Sequence, residues 1–150
     1  MTTATSPVAT RYSPATWEQV NVYGVIERQY TMTTSELTQE IIDHGAVLVY
    51  MRFVGIAPQI NQLPVTIMDS NYDFLFRAQA GSITAAYYSV TSPGTSPMII
   101  PSTNQVRYVL IPGGVLDETA LIEGVTSGRL IESLDHIPYS KVCGMFGIPE

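Results

Sequence analysis

The chain has 150 residues, of which 45% are hydrophobic and 13% are charged, and its net charge is −6 at pH 7. The charged share is about half of the roughly 25% typical of globular proteins, and disorder is excluded because it requires low hydrophobicity and high charge. The seven Lys and Arg residues are scattered singly, so the sequence offers no cationic patch for nucleic acid or for an anionic membrane surface.

Cysteine content and hydropathy narrow the class of protein further. Cys143 is the single cysteine, which excludes an intramolecular disulfide and a zinc site built on several cysteines. We interpret this thiol as a small hydrophobic side chain in a C-terminal helix rather than as a nucleophile, since free cysteine is usually buried and inert. No apolar run approaches the length of about 18 residues that a membrane span needs, and no signal peptide is visible at the N-terminus. The compartment therefore stays open.

The N-terminal part of the chain begins with polar residues and continues with strand-like segments. Residues 1–15 are rich in Thr, Ala, Ser and Pro, which predicts a flexible or surface-lying N-terminal arm. Partial alternation over residues 17–26 predicts the first strand, and residues 28–33 continue with a β-like pattern.

A short helix and a buried strand follow. Apolar residues spaced four and five apart break the alternation over residues 35–44, which predicts one or two helical turns that Ser35 caps and Gly45 ends. Residues 46–54 carry apolar side chains on both faces at their start, which is typical of a central strand. Residues 55–62 are predicted to form a loop.

The middle of the chain predicts an antiparallel meander. Residues 63–68 form a short strand in which Pro64 marks an edge or a bulge. The turn-forming residues 69–71 lead to residues 72–79, which alternate cleanly between apolar and polar side chains. A second short turn leads to the return strand at residues 82–90, and such short links indicate antiparallel neighbours.

The C-terminal part predicts one further strand and then helices. A loop over residues 91–103 that contains three prolines and one glycine leads to a strand at residues 105–111, which a Pro-Gly-Gly sequence ends. Helical segments are predicted at residues 117–123, 129–134 and 137–146.

Together these segments predict a mainly β protein. About seven short strands separated by turns favour an antiparallel two-sheet sandwich, immunoglobulin-like or similar, over a closed barrel. We assign residues 16–150 to this single domain, with the short helix near residues 35–44 and a small helical C-terminal tail as additions.

Three segments resemble a group of small uncharacterised β-rich proteins of Bacteroidetes bacteria. They are residues 43–50 (DHGAVLVY), 107–114 (RYVLIPGG) and 142–150 (VCGMFGIPE), and the group has D-N-G-A-V-L-V-Y, Y-R-V-V-V-I-P-G-G and V-K-x-x-F-N-I-P-D in the same order. The resemblance covers about residues 35–150. It implies a bacterial module that is exported or held at the cell surface, as in the lipoprotein-like members of the group, and it brings no assigned activity and no catalytic residues.

The two histidines are the first candidates for chemistry. Each follows an aspartate, giving Asp43-His44 and Asp135-His136, and a carboxylate beside an imidazole is suited to metal binding or acid–base work. Neighbouring residues on a strand or helix point apart, so a shared site requires the two pairs to converge in space. We interpret both pairs as turn and cap residues, and we predict neither a metal nor a cofactor.

Two pairs of carboxylates have the spacing to suggest glycoside hydrolysis, namely Asp69 with Asp73 and Asp117 with Glu118. Both pairs flank turns, where aspartate is favoured for its local hydrogen bonds, so we interpret them as solvated surface residues. Residues 69–73 also carry oxygen-bearing side chains at alternate positions, as calcium loops do, but they lack the glycine and the later glutamate of that loop.

A serine nucleophile is not marked by the sequence either. Ser82 and Ser127 lie in ordinary turns, and no Gly-x-Ser-x-Gly sequence is present. The consecutive residues Tyr87 and Tyr88 must point to opposite faces of their strand, so one of them is available to stack on a sugar or a protein partner. The alternative is that tyrosine simply suits a half-buried strand.

The sequence leaves three functions open. Low charge, many Tyr and Thr residues and the lack of concentrated chemistry favour a non-enzymatic binding or interaction module with a protein or carbohydrate partner. The second function is a hydrolase acting on glycan or peptide, for which no catalytic residue is assigned. The third is a structural subunit that assembles with its own copies as a homo-oligomer, because a sandwich must cover or pair its open edges.

Overall fold

The computed structural model describes residues 6–53, 60–67, 71–135 and 137–149, which form two antiparallel sheets and four helices. The elements are β1 (Val8–Tyr12), β2 (Glu18–Val22), β3 (Val25–Thr33), α1 (Gln39–His44), β4 (Ala46–Arg52), β5 (Ile60–Gln62), β6 (Val65–Ile67), β7 (Tyr72–Gln79), β8 (Ser82–Ser89), β9 (Gln105–Ile111), α2 (Gly113–Glu123), α3 (Ser127–Leu134) and α4 (Tyr139–Phe146). The predicted two-sheet β-sandwich is confirmed, with nine strands in the described ranges rather than about seven.

The four-stranded sheet has the order β1-β9-β4-β5. Its central strands β4 and β9 pair along their whole length, from Ala46 opposite Ile111 to Arg52 opposite Gln105. Both strands carry nearly continuous apolar runs, the pattern of strands that are covered on both faces. The prediction of a central strand within residues 46–54 is therefore confirmed for the described part of that segment.

Both edge strands of this sheet fall where the sequence predicts none. β1 lies inside the predicted N-terminal arm, residues 1–15, and pairs with β9. β5 lies inside the predicted loop, residues 55–62, and pairs with β4. Five and three residues offer too few alternations to be recognised, and hydrogen bonds to a central strand hold these segments in place.

The five-stranded sheet has the order β2-β3-β8-β7-β6. The sequence predicts one strand over residues 17–26, but β2 and β3 form a hairpin that turns at Tyr23 and Gly24, whose φ angles are 51° and 92°. The side chain of Asn21 supports this turn, because its Oδ1 accepts a hydrogen bond of 2.8 Å from the N–H of Gly24. This turn is not recognisable from the sequence, because Tyr23 is of a type that favours strands and rarely takes a positive φ.

The predicted antiparallel meander is confirmed in the same sheet. β7 pairs with β8 from Tyr72 opposite Ser89 to Gln79 opposite Ser82. β6 pairs with β7 at the sheet edge and begins directly after Pro64, as the proline predicts. Two of the three residues of the predicted turn at residues 69–71 lie outside the described residues.

The two sheets enclose a core that is rich in aromatic side chains. Phe74 of β7 packs against Phe53 and Tyr87, with ring centroids 4.7 and 4.9 Å apart. Trp17 meets Tyr87 edge to face at 5.2 Å. Phe74 and Tyr87 belong to the five-stranded sheet and Phe53 directly follows β4 of the four-stranded sheet, so the Phe53–Phe74 contact joins the two layers through large apolar surfaces.

Helices α2, α3 and α4 cover the opposite face of the four-stranded sheet. Their buried residues, which pack on Leu48, Tyr50, Val109 and Ile111, are Leu116, Ala120, Leu130, Leu134, Tyr139, Val142, Cys143 and Phe146. The predicted terminal helix is confirmed as α4, but the small helical tail is a third layer of the molecule. None of the helices in the described ranges is long and apolar enough to cross a bilayer.

Helix α1 lies across one end of the sandwich and contacts β4 and β7. Its N-cap is Thr38, whose hydroxyl accepts a 3.3 Å hydrogen bond from the N–H of Ile41, and not Ser35 as predicted. The preceding residues cannot be helical because the carbonyl of Leu37 accepts a hydrogen bond from Gly81, in the turn between β7 and β8. The predicted stop at Gly45 coincides with the observed cap, and a Cβ there would clash with the carbonyl oxygen of Ile111.

Candidate functional site

The groups that the sequence marks as reactive lie on different parts of the fold. His44 ends helix α1 and is exposed, whereas Cys143 is in α4 and is buried where the helices pack on the four-stranded sheet. Asp43 accepts a hydrogen bond of 2.9 Å from Gln39 on its own helix. His136 lies outside the described residues, so the convergence of the two Asp-His pairs stays untested.

The predicted carboxylate pairs make local hydrogen bonds. Asp73 accepts hydrogen bonds from the hydroxyls of Thr66 and Tyr88, and Asp117 accepts one from Ser127. Asp69 is outside the described residues, so the carboxylate pair and the calcium-like loop that include it are not tested. Within the part of the chain that the structure describes, no three His, Cys, Asp or Glu side chains are grouped to hold a metal ion.

Tyr87 and Tyr88 point to opposite faces of β8, as their adjacency requires. Tyr87 is buried between the sheets, donates a 2.8 Å hydrogen bond to the carbonyl of Met98, and has its pKa raised to about 12 by burial. Tyr88 is half-buried on the outer face and donates a 2.9 Å hydrogen bond to Asp73, which is the main cause of its raised pKa. Both hydroxyls therefore already have acceptors within the fold.

The outer face of the five-stranded sheet carries a polar network. Glu27 is only 3% exposed and receives two hydrogen bonds from Arg77, at 2.9 and 2.8 Å, across the intervening strand β8. These hydrogen bonds lower the pKa of Glu27. A depression of about 220 Å³ beside the pair is lined by Gln29, Arg77, Ala78, Gln79, Ser82 and Thr84. The network is suited to hold the sheet surface in one arrangement.

A second set of polar side chains lies under the helical layer. The rings of Tyr50 and Tyr139 meet edge to face at 4.8 Å, and the guanidinium of Arg107 lies 5.2 Å from the Tyr139 ring. Within the described ranges the buried Tyr50 hydroxyl has no hydrogen-bond partner. Burial, with smaller effects from Cys143 and Tyr139, raises the pKa of Tyr50 far above its usual value. This cluster is closed to solvent, and we assign it to packing.

The concave site with the most distinctive architecture is a cavity of about 410 Å³ at one edge of the sandwich. We call it the edge notch, and its lining residues are Val47, Gln62, Leu63, Pro64, Phe76 and Asp135. Its volume lies within the roughly 300–1,000 Å³ of typical ligand sites, and four of its six lining residues are apolar.

The edge notch exists because both sheets lose their edge strand at the same place. β5 pairs only with residues 50–52 of β4, and β6 pairs only with residues 72–74 of β7. The chain crosses from one sheet to the other at Leu63 and Pro64, between the two short strands. Among the strands that the structure describes, residues 46–48 of β4 and 75–79 of β7 have no neighbour on this side.

Two polar side chains line the edge notch, one from β5 and one from the end of α3. Gln62 donates a hydrogen bond of 3.2 Å from its Nε2 to Oδ1 of Asp135, the residue that caps the end of α3. This contact joins β5 to α3 and holds the exposed carboxylate at the cavity mouth. Among the described members of the two Asp-His pairs, which are Asp43, His44 and Asp135, Asp135 lines this cavity.

The sequence marks the edge notch only weakly. Pro64 correctly indicates a strand at a sheet edge. The other lining residues are of types that are common in any strand or turn. The site arises because β5 and β6 are only three residues long and pair with only part of β4 and β7. A pattern of alternation cannot report where a neighbouring strand stops.

Comparisons with known proteins give no further guide to the site. No protein-family model matches the chain, and neither the curated proteins nor the solved structures contain a match. The resemblance to small Bacteroidetes proteins, and the export that it implies, stay predictions.

Proposed function

We propose that this protein is a non-enzymatic binding module whose edge notch holds a segment of a partner protein. The observation that carries the proposal is the coincidence of a cavity of about 410 Å³ with the ends of both edge strands. An unpaired strand edge presents backbone donors and acceptors, which natural proteins usually cover or use for binding.

The lining of the edge notch fits a protein partner better than a sugar. Val47, Leu63, Pro64 and Phe76 supply aliphatic and aromatic surface, which gains free energy when an apolar side chain displaces water from it. Carbohydrate sites need many hydrogen-bonding groups, and here the described polar side chains are Gln62 and Asp135, which already bond to each other. The carbohydrate partner that the sequence left open is therefore the weaker choice for this cavity.

The hydrolase alternative finds less support in the described geometry. A nucleophile and its base need to lie within about 2.6–3.2 Å of each other or to approach that distance on binding substrate. His44 lies at the exposed end of α1, and Cys143 is buried on the side of α4 that packs on the sheet. Asp135 faces the edge notch with Gln62 as its hydrogen-bond partner rather than a base.

The test compares a blocked cavity with a matched surface change. Gln62→Trp places a large ring at the mouth of the edge notch, and Gln79→Trp makes the same change on the outer face of the five-stranded sheet. Peptides from a display library are selected on the native protein and titrated into isotope-labelled samples. We expect shifts in amide signals centred on Val47, Phe76 and Asp135, with affinity lowered at least tenfold by Gln62→Trp and unchanged by Gln79→Trp.

Two results would contradict the proposal. One is that every selected ligand binds the Gln62→Trp variant as tightly as the native protein. The other is turnover of glycan or peptide substrates by several independent preparations, with the activity tracking the purified chain.

Self-assembly is a second candidate because α2 exposes two large apolar side chains. Leu121 and Ile122 are 80% and 78% exposed, on a helix whose opposite side is buried against the sheet. Sedimentation equilibrium across a hundredfold range of concentration tests this candidate. Assembly predicts a rise in mass that the double substitution of Leu121 and Ile122 by Glu abolishes, and a constant monomer mass contradicts it.

A further inference from the structure

We propose that the partner segment in the edge notch is an extended peptide that adds to β4 as a new strand and carries a Lys or Arg side chain for Asp135. The inference rests on the proposed function, because it specifies the ligand of the same site. It adds the conformation and the charge of the partner to the location of the cavity.

The backbone of β4 is oriented for such an addition. The carbonyl of Val49 accepts a 2.8 Å hydrogen bond from the N–H of Leu63, so the backbone groups of Val49 face the β5 side of the strand. In a strand, residues two apart direct their backbone groups to the same side. The N–H and C=O of Val47 therefore face the edge notch, while those of Ala46 and Leu48 face β9.

The cavity lies where β5 would continue if it did not turn away. Val47 of β4 and Phe76 of β7 both pack on the core between the two sheets, so they line the edge notch on the sandwich side of β4. Gln62 neighbours Tyr50 in the strand register, and Tyr50 belongs to the helical side. A cavity lined from both sides lies in the plane of the sheet, which is the position of a strand and not of a ligand lying on a face.

The ends of the open stretch set the length of the segment. Gly45 and helix α1 close one end, and the crossing at Leu63 and Pro64 closes the other. Residues 46–48 span about 10 Å at the roughly 3.3 Å rise of a strand. Three peptide residues fit that length, which equals the length of β5 and of β6.

Alternation then assigns the side chains of the peptide. Successive side chains of a strand point to opposite faces, so one meets the apolar surface of Val47 and Phe76 and its neighbour meets Gln62 and Asp135. Asp135 accepts one hydrogen bond from Gln62 at Oδ1, and its exposed carboxylate can accept more. The net charge of the chain is −6, which favours approach of a cationic segment.

This mode of recognition has a clear physical basis. Strand addition obtains affinity from main-chain hydrogen bonds and specificity from pockets for alternate side chains, and the edge notch supplies both features. An extended ligand also satisfies the backbone groups of Val47, which no described strand pairs on this side of β4.

The first experiment is an N-methylation scan of a peptide that binds the edge notch. Methylation removes one backbone donor at a time, and we expect alternate positions to lose about tenfold in affinity while the positions between them change less than twofold. In the same complex, hydrogen exchange of the Val47 amide is expected to slow at least tenfold, with the Leu48 amide, which faces β9, as the internal reference.

The second experiment tests the charge. Asp135→Asn is expected to weaken a Lys-containing peptide threefold to tenfold and to reduce the salt dependence of its binding. Glu132→Gln, an exposed change on the same helix α3, makes an equal change in net charge and is expected to leave both unchanged.

The outcomes separate the two proposals. A peptide that perturbs the edge notch but shows no alternation in the N-methylation scan and no protection of Val47 overturns strand addition and leaves the binding module intact. Equal affinities of Asp135→Asn and the native protein overturn the cationic partner. If no selected ligand depends on the edge notch, both proposals are wrong.

Discussion

The four-stranded sheet is covered on its two faces in different ways. Its sandwich face meets the five-stranded sheet through interlocking aromatic rings, with Phe74 and Tyr87 at the centre. Its helical face meets three helices through aliphatic side chains such as Leu134 and also encloses the polar groups of Tyr50 and Arg107. β4 and β9 therefore contribute side chains to two cores at once, which is why they are apolar on both faces.

The largest expected effect comes from truncating one large buried side chain in each core, which tests whether the two cores unfold together. Phe74→Ala on the sandwich side should lower the free energy of unfolding by about 4 kcal/mol, and Leu134→Ala on the helical side by about 3 kcal/mol, because both side chains are fully packed. We expect one transition in urea for each variant, with near- and far-ultraviolet circular dichroism coinciding. A separate early loss of helical signal in Leu134→Ala would mean that the helical layer is an independent unit.

A smaller effect tests the seam where the helical layer joins the sandwich. A Cβ on Gly113 would lie 2.9 Å from the carbonyl oxygen of His44 and 3.0 Å from Oε1 of Glu40, whereas a Cβ on Gly114 would meet nothing within 4 Å. Gly113→Ala is therefore expected to cost about 1–3 kcal/mol through overpacking.

The neighbouring glycine is the control for this seam. Gly114→Ala should be neutral or stabilise by up to about 1 kcal/mol, since alanine is the better helix former. Thermal unfolding of the two variants measures the difference. Equal melting temperatures would contradict the close approach of α1 and α2.

The smallest expected effect comes from removing one buried tyrosine hydroxyl from each of the two cores. Tyr87→Phe removes the hydrogen bond to the carbonyl of Met98 and should cost about 1 kcal/mol. Tyr50→Phe removes a hydroxyl without a described partner and should be neutral or slightly stabilising. Chemical denaturation of both variants provides the measurement, and a cost at Tyr50 equal to that at Tyr87 would indicate an acceptor for the Tyr50 hydroxyl.

Several elements were predictable because their signal is local. The strands at residues 72–79, 82–90 and 105–111 alternate or run apolar over seven or more residues, enough to specify both their type and their buried face. For the helix before Gly45, the sequence predicts the correct end but places the start too early. Its cap is chosen by a tertiary contact, the hydrogen bond from Gly81 to Leu37.

The candidate site was not predictable to the same degree. The sequence drew attention to two of the lining residues for other reasons. Asp135 was noted because it precedes His136, and Pro64 was noted because it marks a strand at a sheet edge or a bulge. No sequence signal links them to Val47 or Phe76, because the four residues meet only after both sheets and α3 have formed.

The sequence by itself determined the strand-rich composition, the two-sheet class, the buried character of β4 and β9, and the helical nature of the C-terminal segment. These follow from residue type and from periods of two and 3.6, which are properties of neighbouring residues. Only the tertiary structure decided that three helices form a full layer, that β1 and β5 become edge strands, and that β5 and β6 both stop beside an open stretch of β4 and β7. Where a strand stops depends on the backbone hydrogen bonds that remain available to it, and those belong to partners far away in the chain.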